Sequence, residues 1–353
     1  MMVRGSLRVA KIVATVLLVS APHTLREAAD SRGFLIGAAV RPSLFPESAY
    51  AETLAREFNM IEPEDDMKWA RLRPDAETFD FHAGDEIVAF ARAHSMKVRG
   101  HCLVWDHSNP DWLAQGRFTP AQLSDLLHRH ISTVMKHYAG QVFAWDVVNE
   151  AFESEGHLKD SIWYNQPGIG LAGKQTAYVE QAFRWAHEVD PHVLLFYNEA
   201  EGEGMNRKSD TVYAMVKDFK QRGVPIDGVG LQMHLSRLDY DTGPVSANIA
   251  RLTALGLQVH ITELDISLPV DANGQATNAG DLERQAELYR DVVRACLQHP
   301  GCTAIQTWGF TDKYSWIGSH SHHTRGAALP FDRDYHPKPA YRSMLQEISK
   351  PRQ

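Results

Sequence analysis

Two glutamates follow directly after apolar runs of the chain. Residues 142–148 lead into Asn149 and Glu150, and residues 259–262 lead into Glu263. A single glutamate is usually a solvated surface charge. If both runs are β-strands, however, side chains alternate between the two faces of each strand, so each glutamate points the same way as the residue two positions before it. Both carboxylates can then point toward the mouth of a barrel. Two carboxylates that converge on one cleft are the minimum that glycoside hydrolysis requires.

Three further polar residues belong to runs of this kind. Asp146 lies on the same face of its strand as Glu150 but deeper within the strand. A carboxylate there is tolerated only with an ionic or hydrogen-bonding partner, so we interpret Asp146 as structural. Gln232 and His234 alternate onto one face of the strand that precedes Glu263. A histidine there can hold a neighbouring carboxylate by hydrogen bonding. A lone buried histidine is more often a satisfied core group, so this interpretation requires that Glu263 lies near.

A cleft for sugars needs aromatic platforms beside charged and amide groups, because sugars present apolar faces and hydroxyl edges. The family resemblance given below implies that Trp308 and Trp316 supply the aromatic surface, and that Glu64, Lys68 and Gln232 supply the polar groups. Core packing is the usual role of tryptophan. We keep that role for the other tryptophans of the chain, such as Trp185 within an amphipathic stretch.

The elements that must position these residues follow from the hydrophobic pattern. Apolar, β-branched runs alternate with amphipathic stretches along nearly the whole chain, which is typical of parallel strands joined by crossover helices. We predict eight strands, at Phe34–Val40, Phe58–Glu62, Lys97–Val104, Val142–Asn149, Val193–Tyr197, Gly228–His234, Leu257–Glu263 and Thr303–Phe310. No proline-, glycine- or serine-rich linker divides the chain. The pattern therefore predicts an α/β protein, a single-domain (β/α)8 TIM barrel, whose catalytic groups stand at the carboxyl ends of the strands.

The clearest helix signal begins at Thr119. Thr119 can cap the helix, Pro120 suits the first helical position and Gln122 can complete a capping box. Apolar residues recur at helical spacing from Leu123 to Met135. We expect that face to pack against the sheet.

The composition excludes several classes of protein. Apolar residues make up 44% of the chain and charged residues 23%, which indicates a globular protein with a large core rather than a disordered, collagen-like or coiled-coil chain. The net charge of −8 leaves no basic excess to neutralise phosphates or anionic lipid. We expect no nucleic-acid partner.

The first residues resemble a secretory signal peptide. Arg4, Arg8 and Lys11 precede the apolar run 12–19 and the small residues Ser20-Ala21. We therefore predict a signal peptide over residues 1–21 and a catalytic domain over residues 22–353, in a secreted or periplasmic protein without membrane association after cleavage. The alternative is an N-terminal helix of the mature fold. The apolar run is too short to span a bilayer, and no stop-transfer pattern follows it, so we favour the signal peptide.

The cysteine and histidine residues do not form the pattern of a metal-binding site. Cys102, Cys296 and Cys302 are too few for a disulfide framework or a four-thiolate zinc site. Cys296 and Cys302 flank a short turn that a disulfide can span in an oxidising compartment, and free buried thiols are the alternative. The histidines of the loop 320–323 lack the fixed geometry and supporting partners of a metal site. We expect no metal and no cofactor.

From Gly37 to Tyr341 the chain resembles glycoside hydrolase family 10, the xylanases. The resemblance rests on six motifs that stand in the family's order: Glu64-Asp65-Asp66-Met67-Lys68-Trp69, Arg99-Gly100-His101-Cys102-Leu103-Val104-Trp105, Trp145-Asp146-Val147-Val148-Asn149-Glu150, Gly230-Leu231-Gln232-Met233-His234, Ile261-Thr262-Glu263-Leu264-Asp265-Ile266 and Trp308-Gly309-Phe310.

The resemblance implies a retaining endo-β-1,4-xylanase that acts on xylan or xylo-oligosaccharides, and we expect a monomer. It implies that Glu150 is the acid/base and Glu263 the nucleophile. Asn149 would bond the sugar 2-hydroxyl, and His234, tied to Asp265, would orient Glu263. The substrate-binding residues that it implies are Glu64, Asp65, Lys68, His101, Trp105, Asn149, Gln232, His234, Trp308 and Trp316. It also implies a disulfide between Cys296 and Cys302.

Electrostatics then gives an expectation for the acid. An ionised Glu263 close to Glu150 would raise the pKa of Glu150 and keep it protonated. Once Glu263 carries a sugar, its charge disappears, and Glu150 can act as the base. Retention of configuration needs the two carboxyl groups about 5–5.5 Å apart, whereas about 6.5–9.5 Å indicates inversion.

Three departures from the family pattern concern the substrate. Asp65 stands where members commonly carry asparagine, which removes donors and adds a charge beside Glu64, so it could weaken or redirect the second glycone subsite. Residues 106–108 replace the usual His-Ser-Gln, and Ala200, after Glu199, replaces a common aromatic.

Two rival hypotheses stay open. The first is a related barrel glycosidase acting on β-glucan, which would release more sugar from cellulose than from xylan. The second is a catalytically silent carbohydrate-binding barrel, which would bind without releasing reducing ends. The presence of both Glu150 and Glu263 argues against the second.

Overall fold

A computed structural model describes residues 22–278 and 280–351, so the predicted signal peptide lies outside the described residues. Within them, parallel strands form a closed barrel in which each strand pairs with the next and β8 pairs with both β7 and β1. The barrel strands are β1 (Leu35–Val40), β2 (Met60–Pro63), β3 (Lys97–Val104), β4 (Ala144–Asn149), β5 (Leu194–Glu199), β6 (Gly228–Leu231), β7 (Gln258–Ile266) and β8 (Cys302–Thr307). The predicted (β/α)8 barrel is confirmed.

Helices precede the first strand, connect successive strands and follow the last strand. They are α1 (Leu25–Arg32), α2 (Ser48–Glu57), α3 (Trp69–Leu72), α4 (His82–Ala93), α5 (Asp111–Ala114), α6 (Pro120–His137), α7 (Ala177–Val189), α8 (Arg207–Gln221), α9 (Gly243–Thr253), α10 (Gly280–Leu297), α11 (Ile317–His320) and α12 (Pro339–Ile348), with 3-10 turns at Pro42–Leu44 and Asp106–Ser108. In the described part of the chain no helix is both long and apolar enough to cross a membrane.

Helix α6 begins as its sequence predicts. The Thr119 hydroxyl accepts the Gln122 N–H at 3.3 Å, and the Gln122 side chain accepts the Thr119 N–H at 2.8 Å, which completes the capping box. On the apolar face from Leu123 to Met135 the side chains are buried, except that Leu126 is partly buried. Burial of that face, rather than helix propensity alone, fixes α6 on the barrel.

The predicted strand Gly228–His234 is divided in two. β6 ends at Leu231, and His234–Leu235 forms a separate short strand that pairs with Asp265 and Ile266. Between them Met233 takes a left-handed conformation with φ of 71°, which no continuous strand allows. Simple alternation over residues 228–234 was therefore the wrong description, although Gln232 and His234 both reach the same cleft, as shown below.

The other strands differ from the prediction only at their ends. β3 has the predicted bounds, whereas β5 continues two residues beyond the predicted end at Tyr197 and so includes Asn198 and Glu199. A disulfide joins Cys296 at the end of α10 to Cys302 at the start of β8, and Cys102 is a buried free thiol. The pairing that the family resemblance implied is present.

Candidate active site

Glu150 lies one residue beyond β4, at the carboxyl end of the barrel. Its Oε1 accepts a hydrogen bond from Gln232 Nε2 at 2.8 Å and one from Asn149 Nδ2 at 3.3 Å. Its Oε2 accepts one from Trp105 Nε1 at 3.1 Å and lies 3.5 Å from Lys159 Nζ. The carboxylate is thus held by donors on both oxygens, and its direction is fixed before a substrate arrives.

These donors decide the charge of Glu150 in the free site. Burial raises its pKa, but the hydrogen bond from Gln232, the charge of Lys159 and the hydrogen bond from Trp105 outweigh burial and lower the pKa below its ordinary value. The expectation that the pKa of Glu150 would be raised was wrong for the free site. The reason is that donors from three separate segments face the carboxylate directly.

Glu263 lies within β7 and is fixed from both sides. Its Oε2 accepts a hydrogen bond from His234 Nε2 at 3.1 Å, and its Oε1 accepts one from Asn198 Nδ2 at 2.8 Å. His234 Nδ1 donates in turn to Asp265 at 2.9 Å, and the same Asp265 oxygen accepts the Trp316 indole N–H at 2.8 Å. The predicted link from Asp265 through His234 to Glu263 is confirmed as geometry.

His234 is charged in this arrangement. Burial would lower its pKa, but the negative charges of Asp265 and Glu263 raise the pKa well above its ordinary value. An imidazolium donates from both ring nitrogens, so it can bond both carboxylates at once. The histidine therefore orients Glu263 and stabilises its ionised form.

A chain of amide groups connects the two glutamates. Asn198 Nδ2 donates both to Glu263 and to Asn149 Oδ1, the latter at 2.9 Å. Asn149 Oδ1 also accepts from Gln232 Nε2 at 3.3 Å, and Gln232 donates to Glu150. The two carboxylates therefore share one hydrogen-bonded network across β4, β5 and the segment after β6.

Glu64, Asp65 and Lys68, which were predicted for the glycone side, follow the end of β2, and Arg41 follows the end of β1. Arg41 makes a bidentate pair with Glu64, with distances of 2.7 and 2.8 Å. Lys68 Nζ donates to Asp65 Oδ1 at 2.8 Å. Burial lowers the pKa of Lys68, but Asp65 outweighs it and raises that pKa, so the ammonium keeps its charge.

Aromatic rings surround the same ammonium. Lys68 Nζ lies 4.9 Å from the Trp105 ring centroid and 5.5 Å from that of Trp308. The His101 ring packs edge-on against Trp308 at 5.4 Å and is almost fully buried, so it presents little surface to the cleft. Trp316 packs edge-on against His234 at 5.1 Å. Charged groups and aromatic faces thus line one cleft beside both glutamates.

The chain as a whole matches a known family. The model of Glycosyl hydrolase family 10 matches residues 24–347. The chain belongs to glycosyl hydrolase family 10. Endo-1,4-beta-xylanase B of Thermotoga neapolitana is 39% identical over 313 residues, which is 88% of this chain and 87% of that protein.

Solved xylanase structures share the fold over more than nine tenths of this chain. Xylanase 10B from Thermotoga petrophila RKU-1, solved in complex with xylobiose, is 37% identical and has a TM-score of 0.87 over 94% of this chain and 100% of that chain. A glycosylated endo-beta-1,4-xylanase from Gloeophyllum trabeum is 35% identical, with a TM-score of 0.84 over 93% of this chain and 99% of that one.

A buried charge cluster lies beneath the family 10 cleft. Arg99 donates to both carboxylate oxygens of Asp146 and to Glu62 at 3.1 Å, and His101 Nδ1 lies 2.9 Å from Asp146. Burial raises the pKa of Glu62 to about 7, against the opposing charge of Arg99. Glu62, His101 and Asp146 have the spacing of metal ligands, but the guanidinium already lies where it neutralises the carboxylates. The interpretation of Asp146 as structural agrees with these contacts.

Three residues that contact the site were missed in the sequence. Asn198 was missed because the predicted strand ended one residue before it, although a polar residue at a strand end is the signal that identified Glu150. Lys159 lies near Glu150 because a hairpin brings the chain back, with the Lys159 N–H donating to Ala151 O at 2.9 Å. No local sequence pattern predicts that Lys159 lies near Glu150. Arg41 was missed because the sequence alone does not distinguish it from the many charged residues that lie on the surface.

Proposed function

We propose that this protein is a retaining endo-1,4-β-xylanase that hydrolyses internal bonds of xylan by double displacement. The observation that carries the proposal is the pair of glutamates, one directly after β4 and one within β7, joined through Asn149, Asn198 and Gln232 in a chain that belongs to a family of xylanases. Glu263 is assigned as the nucleophile and Glu150 as the acid/base.

The first step forms a glycosyl-enzyme. Glu263 Oε attacks the anomeric carbon while the glycosidic C–O bond breaks, and Glu150 gives its proton to the departing oxygen. His234 and Asn198 hold the Glu263 carboxylate by one oxygen each, which limits its rotation and favours attack in one direction. Asn149, whose amide lies between the two glutamates, is placed to bond the 2-hydroxyl of the sugar under attack.

The second step releases the sugar. Glu150, now ionised, takes a proton from water, and the resulting oxygen nucleophile attacks the anomeric carbon and restores the Glu263 carboxylate. Lys159, at 3.5 Å, favours this ionised form. The first step needs Glu150 in its protonated form. Bound sugar favours that form, because excluding water from a carboxylate raises its pKa.

The glycone subsites are assigned to the cleft residues described above. Trp308 and Trp316 offer apolar faces, and Lys68, Glu64 and Gln232 offer donors and acceptors for sugar hydroxyls. Trp105 has a second role, because its indole N–H already bonds Glu150. Asp65, which stands where family members commonly carry asparagine, competes with substrate for the Lys68 ammonium. This competition is the structural effect of the substitution.

Export, a monomeric state and the absence of membrane association complete the proposal. The charged and apolar pattern of residues 1–21 supports export, and the disulfide between Cys296 and Cys302 agrees with an oxidising compartment. N-terminal sequencing of protein recovered from the medium or periplasm should begin near residue 22, and light scattering should give the mass of one chain. Cell-bound protein that retains residue 1 would contradict export.

The test of the activity compares two polysaccharides. Reducing-sugar release is measured from soluble xylan and from carboxymethylcellulose, with the Glu150→Ala/Glu263→Ala protein as the blank. We expect release from xylan to dominate and the blank to show none. Greater release from carboxymethylcellulose would favour a β-glucanase, and binding without release from either would favour a carbohydrate-binding barrel.

A further inference from the structure

The backbone at Glu150 is held in an unusual conformation. Its φ is 54°, in the left-handed region that residues with a side chain rarely adopt. Such a conformation is unfavourable for a residue with a side chain and persists only where neighbouring contacts hold it. The contacts that hold it therefore also decide where the Glu150 carboxyl points.

Two successive amides after Glu150 are tethered to β5. The Ala151 N–H donates to the Tyr197 hydroxyl at 3.1 Å, and the Phe152 N–H donates to Glu199 Oε2 at 3.3 Å. The Tyr197 hydroxyl donates in turn to the same Glu199 oxygen. Both side chains are almost fully buried, so water cannot replace these acceptors.

Lys208, in the first turn of α8, fixes the other oxygen of Glu199. Lys208 Nζ lies 3.0 Å from Glu199 Oε1, and the two side chains are 5% and 1% exposed. The Ala200 N–H also donates to Oε1, at 3.2 Å. A buried carboxylate with partners on both oxygens has a single orientation, which is what a rigid support requires.

We propose that Tyr197, Glu199 and Lys208 form a clamp that positions Glu150 for proton transfer. The proposal rests on the acid/base role assigned to Glu150 under the proposed function. In the structure the clamp contacts the backbone after Glu150 and not its carboxyl group, so these are positioning residues. Glu263 is held by a different set of side chains, His234 and Asn198, so loss of the clamp should impair protonation of the leaving group more than nucleophilic attack.

The variant that tests the clamp is Tyr197→Phe, which removes one hydroxyl and leaves no buried charge unpaired. Two substrates separate the two functions. An aryl xylobioside with a poor leaving group needs protonation, whereas 2,4-dinitrophenyl β-xylobioside does not, and kcat/KM reports the first irreversible step for both. We expect kcat/KM to fall roughly 10- to 100-fold for the poor leaving group and to change by no more than about two-fold for the dinitrophenyl substrate.

A matched control exists in the same chain. Tyr341 is buried and its hydroxyl donates to the buried carboxylate of Glu57 at 2.8 Å, away from the cleft. Tyr341→Phe should leave the ratio of the two kcat/KM values unchanged. This control separates loss of a buried tyrosine hydroxyl in general from loss of the clamp.

A second variant removes the ion pair without leaving a lone charge. Glu199→Gln/Lys208→Met should show the same selective loss for the poor leaving group. Equal losses for both substrates, or no loss for either, in Tyr197→Phe and in the double variant would overturn the clamp. If the wild-type protein releases no sugar from xylan, the proposed function fails instead, and the two failures are distinguished by that measurement.

Discussion

Replacing Asp65 by asparagine should tighten the binding of xylo-oligosaccharides. Lys68 Nζ donates to Asp65 Oδ1 at 2.8 Å, so part of its hydrogen-bonding capacity is used inside the protein. Asparagine has nearly the same shape and keeps one oxygen acceptor but removes the charge. The Lys68 ammonium, which lies over the rings of Trp105 and Trp308, would then be freer to donate to a sugar hydroxyl.

The size of the effect follows from the exposure of the pair. The Asp65 side chain is 49% exposed and that of Lys68 10%, so water screens one partner strongly. Ion pairs of this kind contribute about 0.2–1 kcal/mol. Since 1.4 kcal/mol corresponds to a ten-fold change in affinity, KM should fall between about 1.4-fold and 5-fold. kcat should stay unchanged, because the added contact is equal in the ground and transition states.

The assay measures KM and kcat on xylo-oligosaccharides for the wild type, Asp65→Asn and Asp66→Asn. Asp66→Asn removes the same charge one residue along but leaves the bond between Lys68 and Asp65 in place. Raising the salt concentration should lower KM of the wild type toward that of Asp65→Asn, since salt weakens exposed ion pairs. A KM for Asp65→Asn that is unchanged or higher, or an equal fall for Asp66→Asn, would refute the reasoning.

Three further predictions concern protonation and stability. For an aryl xylobioside with a poor leaving group, the pH profile of kcat should fall on its alkaline side at higher pH than the profile of kcat/KM. The reason is that bound sugar shields Glu150 from water and so raises its pKa, which is lowered in the free site. Profiles that fall at the same alkaline pH would contradict this. Arg99→Met should lower the free energy of unfolding by about 3–5 kcal/mol and Tm by roughly 4–7 °C, since it removes the guanidinium that pairs with the two buried carboxylates of Glu62 and Asp146. Calorimetry that finds an unchanged Tm would exclude that role. Cys296→Ala/Cys302→Ala should lower Tm by roughly 3 °C, as expected for a short closed loop, and a reducing agent should lower Tm of the wild type but not of this variant.

The fold was accessible from the sequence because its signals are local. Alternating apolar and amphipathic runs gave all eight strands, and the capping box at Thr119 located the start of α6. Strand ends were less certain. At Met233 a left-handed residue ends β6 early, and at Tyr197 the apolar run stops two residues before β5 does.

The candidate site was accessible only in part. The ends of predicted strands identified Glu150 and Glu263, alternation along a predicted strand indicated Gln232 and His234, and the family resemblance implied Asp265 and the other cleft residues. The contacts of Asn198 and Lys159 depend on how distant segments meet, which no periodicity encodes. The direction of the Glu150 pKa depends on the same tertiary contacts, and for that reason the expectation from Glu263 alone was wrong.

The most direct test of the account is to trap the glycosyl-enzyme. The protein is incubated with 2,4-dinitrophenyl 2-deoxy-2-fluoro-β-xylobioside, whose fluorine slows release of the sugar, and the labelled peptide is sequenced by mass spectrometry. The account predicts one 2-fluoroxylobiosyl group per chain, attached to Glu263, and none in Glu263→Gln. A label on Glu150 or another residue, or hydrolysis with inverted configuration and no label, would contradict it.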